Sequence, residues 1–290
     1  MEFTAVSWNL FHGRDFPPDP ALFTRRSRLL RVEERGATHV QVNRDLGDEF
    51  AAVLADAEWD VALLQECPPR FAAPLARACD AQAHRVLTSR NSLGALRGLA
   101  ARLNPDLIAS AEGGSNLTLV RRSFRNAGIV ERHEVEIRRG RPERRAMGLT
   151  RVAIGRSDGQ RGLRVAAGEE ARELCVANLH ATSDAPALAS EDVLRAAEAA
   201  VAWAGDSPLL FGGDLNLRPA EQPGAFAELR ERLGLAGETG PEAIDHLLGR
   251  GLRAGAPPLP WPPPRRELPW RGLALRLSDH APVQAGFESG

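Results

Sequence analysis

A set of polar side chains in this sequence stands at the ends of apolar runs, and their types suit hydrolytic chemistry. Asn9 follows Val6-Ser7-Trp8, and Glu66 follows Val61-Ala62-Leu63-Leu64-Gln65. Asn178 and His180 close Leu174-Cys175-Val176-Ala177, while Asp214 and Asn216 follow Leu209-Leu210-Phe211-Gly212-Gly213. Asp245 comes directly after Ile244, and the pair Asp279-His280 precedes Ala281-Pro282-Val283. Strand ends commonly rim a functional cleft, because a rigid sheet aims the residues that leave it. If Glu66, Asp214, Asp245 and Asp279 converge, each pair about 4 Å apart repels by about 4 kcal/mol at an effective dielectric near 20. A bound cation is the simplest remedy. The donors are carboxylate and amide oxygens without a thiolate set, which favours Mg²⁺ or Mn²⁺. Such a cation binds through one or two carboxylates and substrate phosphate, so metal and phosphoester substrate are expected together.

Each of these residues also has an ordinary reading. Asn9 and Asn216 suit turns, Asp214 after two glycines suits an Asx turn or a helix cap, and Asp245 suits a strand edge. The arginines at 121, 122 and 125, at 138 to 145, and at 265 and 266 could meet phosphate, but their acidic neighbours favour a solvated mixed-charge face. His12, His39, His84, His133 and His246 have no chemical role that spacing supports. Asn116 reads equally as a support for a catalytic histidine or as the start of a strand.

The elements that must position this set are legible from periodicity. Phe3 to Trp8 reads as an opening strand, residues 16 to 45 as loop plus a short helix, Glu49 to Ala57 as helix and Val61 to Leu64 as a buried strand. Further strands are expected at Leu117 to Val120, Ala127 to Ile137, Met147 to Ile154, Leu174 to Leu179, Pro208 to Phe211, Ile244 to Leu248 and Ala281 to Phe287. Helices are expected at Glu191 to Trp203 and Gly224 to Leu233. Strand–helix–strand passages around a run of consecutive strands imply mixed sheets with helices outside. The proline-rich stretch Ala256 to Pro269 reads as an extended surface loop that Trp261 and Trp270 anchor or that borders the cleft.

Composition narrows the function. The 290 residues carry 37 basic and 38 acidic side chains, a formal charge of −1, which argues against a large uniform positive field for nucleic acid. Every basic residue is arginine and tyrosine is absent, so lysine Schiff-base chemistry, a P-loop lysine and tyrosine nucleophiles are excluded. Three cysteines without a CxxC pair fit neither a disulfide framework nor structural zinc. No apolar run spans a bilayer and no export signal is visible, so we expect a cytoplasmic protein without stable membrane insertion. No linker divides the chain, and residues 1 to 290 are expected to form a single domain.

Six segments, in order, resemble the endonuclease/exonuclease/phosphatase superfamily: SWN at Ser7 to Asn9, LLQE at Leu63 to Glu66, NLH at Asn178 to His180, GGDLN at Gly212 to Asn216, IDH at Ile244 to His246 and SDHAPV at Ser278 to Val283. Each is weak alone, but six in order are specific. The resemblance implies an α/β (α+β) fold of the deoxyribonuclease-I type, a four-layer sandwich of two mixed β-sheets packed face to face with helices outside. It implies Glu66 as principal metal ligand with Asn9 and Asp279 beside it, Asp214 as the group that orients or deprotonates water, and Asn216 as a residue that helps hold phosphate or metal. His180 and His280 become the imidazoles on the scissile phosphate, with Asp245 orienting His280. Asn178 and Asn116 become substrate-side residues. The expected activity is phosphodiester hydrolysis, nuclease-like first, with a phosphomonoesterase or a lipid-headgroup enzyme of the inositol-phosphatase or sphingomyelinase kind as the alternative. A non-catalytic binding module is disfavoured because every site residue is present. Nucleic acid is one candidate partner, and no partner protein is implied.

Overall fold

The computed structural model describes residues 1–88, 103–106, 114–140, 143–155 and 172–289. In chain order, β1 (Glu2–Asn9), α1 (Arg25–Leu30), β2 (Glu34–Arg35), β3 (Val40–Gln41), α2 (Gly47–Asp56), β4 (Val61–Cys67), α3 (Ala72–Ala78), β5 (Ala81–Leu87) and β6 (Ser115–Arg121) make up the first half. The second half contains β7 (Gly128–Arg138), β8 (Arg145–Ile154), β9 (Arg172–His180), α4 (Pro186–Ala204), β10 (Leu209–Asp214), α5 (Pro223–Glu231) and β11 (Asp245–Arg250). It closes with the short β12 (Leu252–Ala254), β13 (Leu259–Pro260), β14 (Glu267–Trp270) and β15 (Leu273–Arg276), and then β16 (Val283–Ser289).

Two sheets form the body. One has the order β12-β16-β1-β4-β6-β5, with β13 also paired to β16, and the other the order β11-β10-β9-β8-β7. Each is mixed: β1 runs parallel to β4 and β9 parallel to β10, and the other pairs are antiparallel. Strand alternation explains the layers. Phe3 and Ala5 of β1 and Val61 and Leu63 of β4 meet Val176, Leu210 and Leu247 of the opposite sheet in one buried seam. The intervening residues Val6, Trp8, Ala62 and Leu64 face outward and pack with Phe50 and Leu54 of α2 and Leu75 of α3. On the other outer face, Cys175, Ala177 and Phe211 pack with Val193 and Ala197 of α4 and Phe226 and Leu229 of α5. The result is the four-layer sandwich of two mixed sheets between helices.

The proline-rich stretch follows the anchored of its two readings. It supplies β13, a 3₁₀ turn at Pro263–Arg266 and β14, and it is fastened rather than free. Trp261 is buried against Trp8 with ring centroids 6.3 Å apart, and its indole N–H donates to Gln284 Oε1 at 2.6 Å. Trp261 is therefore an anchor. Arg266, expected on a solvated face, is buried too, and its Nη1 donates to the carbonyls of Leu277 at 2.9 Å, Ser278 at 2.5 Å and His280 at 3.1 Å.

Candidate active site

The seam between the sheets ends in polar residues that continue its two faces. In β1 the inward set is Phe3, Ala5, Ser7 and Asn9. In β9 it is Leu174, Val176, Asn178 and His180, in β10 Leu210, Gly212 and Asp214, and in β11 Leu247 and Asp245. Beyond the last apolar contacts, the opposed sheets therefore present Asn9 against Asp214. The Asn9 Nδ2 donates to Asp214 Oδ2 at 2.9 Å. Gly213 makes the approach of β10 to β9 possible: its φ is +132°, and a Cβ there would lie 1.9 Å from the Leu179 carbonyl oxygen.

Glu66 reaches the same place by a different device. Regular alternation along β4 would send it outward with Ala62 and Leu64, which pack against the helices. Its φ of +47° and a register shift between Leu64 and Cys67 turn it towards the cleft instead. Glu66 Oε2 lies 3.2 Å from His12 Nε2, and its Oε1 lies 4.0 Å from His180 Nε2. Burial, and next the Asp214 charge, raise the Glu66 carboxyl above the usual range, while His280 and a hydrogen bond from Asn9 oppose them.

The two imidazoles are in opposite states. His180 is buried, with Nε2 3.4 Å from Asp214 Oδ2. Desolvation lowers its pKa to about 3 against the pull of Asp214, with Arg145 adding to the lowering, so it is neutral. At His280, burial would also lower the pKa, but the charge and hydrogen bond of Asp245, followed by Asp214 and Asp279, outweigh it and raise the value to about 10. The contact is short: His280 Nδ1 is 2.7 Å from Asp245 Oδ2, and His280 Nε2 is 3.8 Å from Asp214 Oδ2. Asp214, Asp245 and His280 place ligand atoms within 4.8 Å of one another. Asp245 and His280 are paired within this cluster, and its donor atoms are close enough together to hold a metal ion. Glu66 accepts a hydrogen bond from Asn9 and interacts electrostatically with Asp279, which stands at the exposed rim.

The loop carrying Asp279 and His280 is braced from several sides. Ser278 Oγ donates to the Asn9 carbonyl at 2.6 Å and accepts the His280 N–H at 3.1 Å, while the Trp8 indole donates to the His280 carbonyl at 3.1 Å. Asn216, at φ +50°, gives its backbone N–H to Asp214 Oδ1 at 3.2 Å and its Nδ2 to the Ala181 carbonyl at 3.2 Å.

Asn178 and Asn116, expected on the substrate side, instead spend their amides inside the sandwich. Asn178 Oδ1 accepts from Gln65 Nε2 at 2.8 Å, and Asn116 Nδ2 donates to the carbonyls of Ala146 at 3.0 Å and Asn178 at 3.3 Å. Both are buried, and Asn178 sits one strand period deeper than His180. His246 is likewise structural, buried with Nε2 against the carbonyls of Leu217 and Ala243, both at 3.0 Å. Two further residues belong to the site. His12 touches Glu66, and Arg145 is buried, its Nε unpaired among the described residues and its Nη2 3.7 Å from Glu143. Arg141, in the same arginine-rich stretch, lies outside the described residues. A lone histidine after Phe11 and one arginine among many carry no spacing signal that identifies them.

A profile of the Endonuclease/Exonuclease/phosphatase family matches residues 6–280. No curated protein matches the chain. Among solved structures, a mannosyl-6-phosphatase of Bacteroides thetaiotaomicron is similar at 14% identity and a TM-score of 0.63, covering 98% of this chain and 99% of its own. The human Nocturnin catalytic domain with bound sulfate is similar at 14% identity and 0.60, with 99% and 94% covered. A humanized D. rerio TDP2 is similar at 14% identity and 0.56, with 99% of each covered. At such identities the likeness is one of fold.

Proposed function

The chain belongs to the endonuclease/exonuclease/phosphatase family, and from that premise we propose that it hydrolyses a phosphodiester, as a single domain, with Mg²⁺ or Mn²⁺ held by Glu66 and flanked by Asn9 and Asp279. The observation that carries this reading is the meeting of Asn9, Glu66, His180, Asp214 and the Asp245–His280 pair at one end of the seam. When bound, the divalent cation supplies Lewis-acid polarisation of a phosphoryl oxygen.

The chain's own groups do the rest. Asp214, fixed by Asn9 and by the Asn216 backbone, accepts a proton from the attacking water as its oxygen bonds to phosphorus and the bond to the leaving oxygen breaks on the opposite side. His280 stays positively charged across the neutral range and stabilises charge on the phosphoryl oxygens. Of the two imidazoles it alone carries an extra proton to give to a leaving oxygen. His180, neutral, offers one N–H as a hydrogen-bond donor. Arg145 adds a fixed positive charge near His180, suited to a second phosphate oxygen. His12 contacts Glu66 through Oε2 and would hold that carboxylate in place for the cation.

Hydrolysis of a bis-aryl phosphate with Mg²⁺, with Mn²⁺ and with EDTA tests the reading. A panel of single-stranded DNA, abasic duplex, RNA, inositol phosphates and sphingomyelin then assigns the substrate, with the nuclease expectation among the outcomes.

A further inference from the structure

Exposed apolar side chains are concentrated around α1. Of the seven large hydrophobic residues exposed among the described residues, Phe16, Phe23, Leu29, Leu30 and Leu103 gather around α1. Leu29 and Leu30 are 65% and 67% exposed, more than a side chain with a folding role requires. Ser27 is the buried residue of this helix. Leu103 joins the group because its neighbour Asn104 donates to the Arg28 carbonyl at 2.8 Å, near the end of α1.

Charge accompanies the apolar surface. Residues 21 to 32 contain Arg25, Arg26, Arg28 and Arg31 and no acid, while Asp19 precedes them and Glu33 and Glu34 follow, with Glu34 Oε1 accepting from Thr24 Oγ1 at the start of α1 at 2.7 Å. All four arginines are exposed, and Asp106 faces Arg28 from the neighbouring segment. The patch is also joined to the site by a file of rings. Phe11, whose N–H is held by Asn9 Oδ1 at 2.9 Å, lies edge-on to Phe16 at 5.7 Å, and Phe16 packs on Phe23 at 5.2 Å. Arg14 stacks on Phe11 at 3.8 Å.

We propose that this face docks the protein on an anionic lipid surface, with Leu29, Leu30, Leu103 and the phenylalanines in the interfacial layer and the α1 arginines on lipid phosphates. Aliphatic side chains interspersed with arginine match a headgroup boundary, where apolar burial and attraction to anionic lipid add. Stacked bases fit less well, because three of the five exposed side chains are leucines, which have no π-face. A second copy of the chain fits less well again, because a two-fold contact would set four arginines against themselves. No helix among the described residues is long and apolar enough to cross a membrane, so the contact is with the surface. That the docked site would then face headgroup phosphodiesters rests on the function proposed above, whereas docking itself does not.

Flotation of the full chain with phosphatidylcholine vesicles, with and without phosphatidylserine, tests the proposal. We expect binding to the phosphatidylserine vesicles that weakens with salt, falls roughly tenfold or more in Leu29→Ser/Leu30→Ser and falls comparably in Arg25→Ala/Arg26→Ala. Leu259→Ser, an equally exposed leucine elsewhere, should leave binding unchanged. Turnover of a soluble bis-aryl phosphate should be the same in the docking variants as in the unaltered chain, which also shows that they fold. Absence of binding to anionic vesicles, or binding that the leucine variant retains, overturns the proposal. So does the loss, in that variant, of binding to a single-stranded oligonucleotide or of self-association in place of vesicle binding. A chain that floats without hydrolysing any diester sinks the catalytic reading and leaves docking standing.

Discussion

Asp245 Oδ2 lies 2.7 Å from His280 Nδ1, and this contact ties the start of β11 to the loop before β16. Because Asp245 continues the inward face of β11 while His280 belongs to the other sheet's approach, the pair spans the sandwich and fixes the imidazole's charge and orientation together.

In the metal-free protein, His280 should titrate near pH 10, above its ordinary 6.5. The shift is upward, so its contribution to stability is complete below about pH 6.5 and is lost as pH rises through about 10. Asp245→Asn should bring the value down towards the ordinary range and reduce kcat by about 10²-fold or more. An NMR titration of the His280 ring in EDTA reads the first effect, and steady-state kinetics the second.

His12→Phe should weaken Mn²⁺ binding by roughly tenfold, since outer residues that hold a ligand carboxylate carry effects of this size. His12→Gln, which keeps an N–H near Glu66, should recover part of the loss. Titration calorimetry of the apo protein measures both without relying on turnover.

Arg266→Met leaves the carbonyls of Leu277, Ser278 and His280 without their shared donor. A loss of roughly 2–4 kcal/mol in unfolding free energy is expected, together with lower kcat as the Asp279-His280 loop loosens. Urea denaturation and kinetics on the same variant check both parts.

Gly213→Ala must move backbone, not a flexible side-chain end, because the contact is with the Leu179 carbonyl oxygen. We expect more than about 4 kcal/mol of destabilisation or loss of soluble protein, read by urea denaturation or soluble yield.

Much of this architecture is legible in the sequence because apolar runs of strand length end where the polar residues begin. β1, β4, β9, β10 and β11 fall where their runs predict, and the helices at 186–204 and 223–231 follow the apolar spacing. α3 and β5 escape such a reading, since alanine recurs from Ala72 to Ala83 and gives neither period much contrast. Depth is the other hidden quantity. Asn178 and His180 share a strand face, and only the packing of the second sheet decides that the first is sealed and the second reaches the cleft. Glu66 reaches the site through a local bulge that alternation cannot foresee, and His12 through a left-handed turn at φ +53°. Proline-rich composition suggests an extended surface loop and leaves open whether its tryptophans anchor it or border the cleft, and burial of Trp261 and Arg266 fastens it under the site.

The most direct test of metal-dependent attack by water compares the unaltered chain with Asp214→Asn on a bis-aryl phosphate, in Mg²⁺ and in EDTA. The expected result is turnover that EDTA abolishes and that the variant lowers by about 10³-fold while it still binds vesicles and remains folded. Equal turnover in the variant, or turnover indifferent to EDTA, would contradict it.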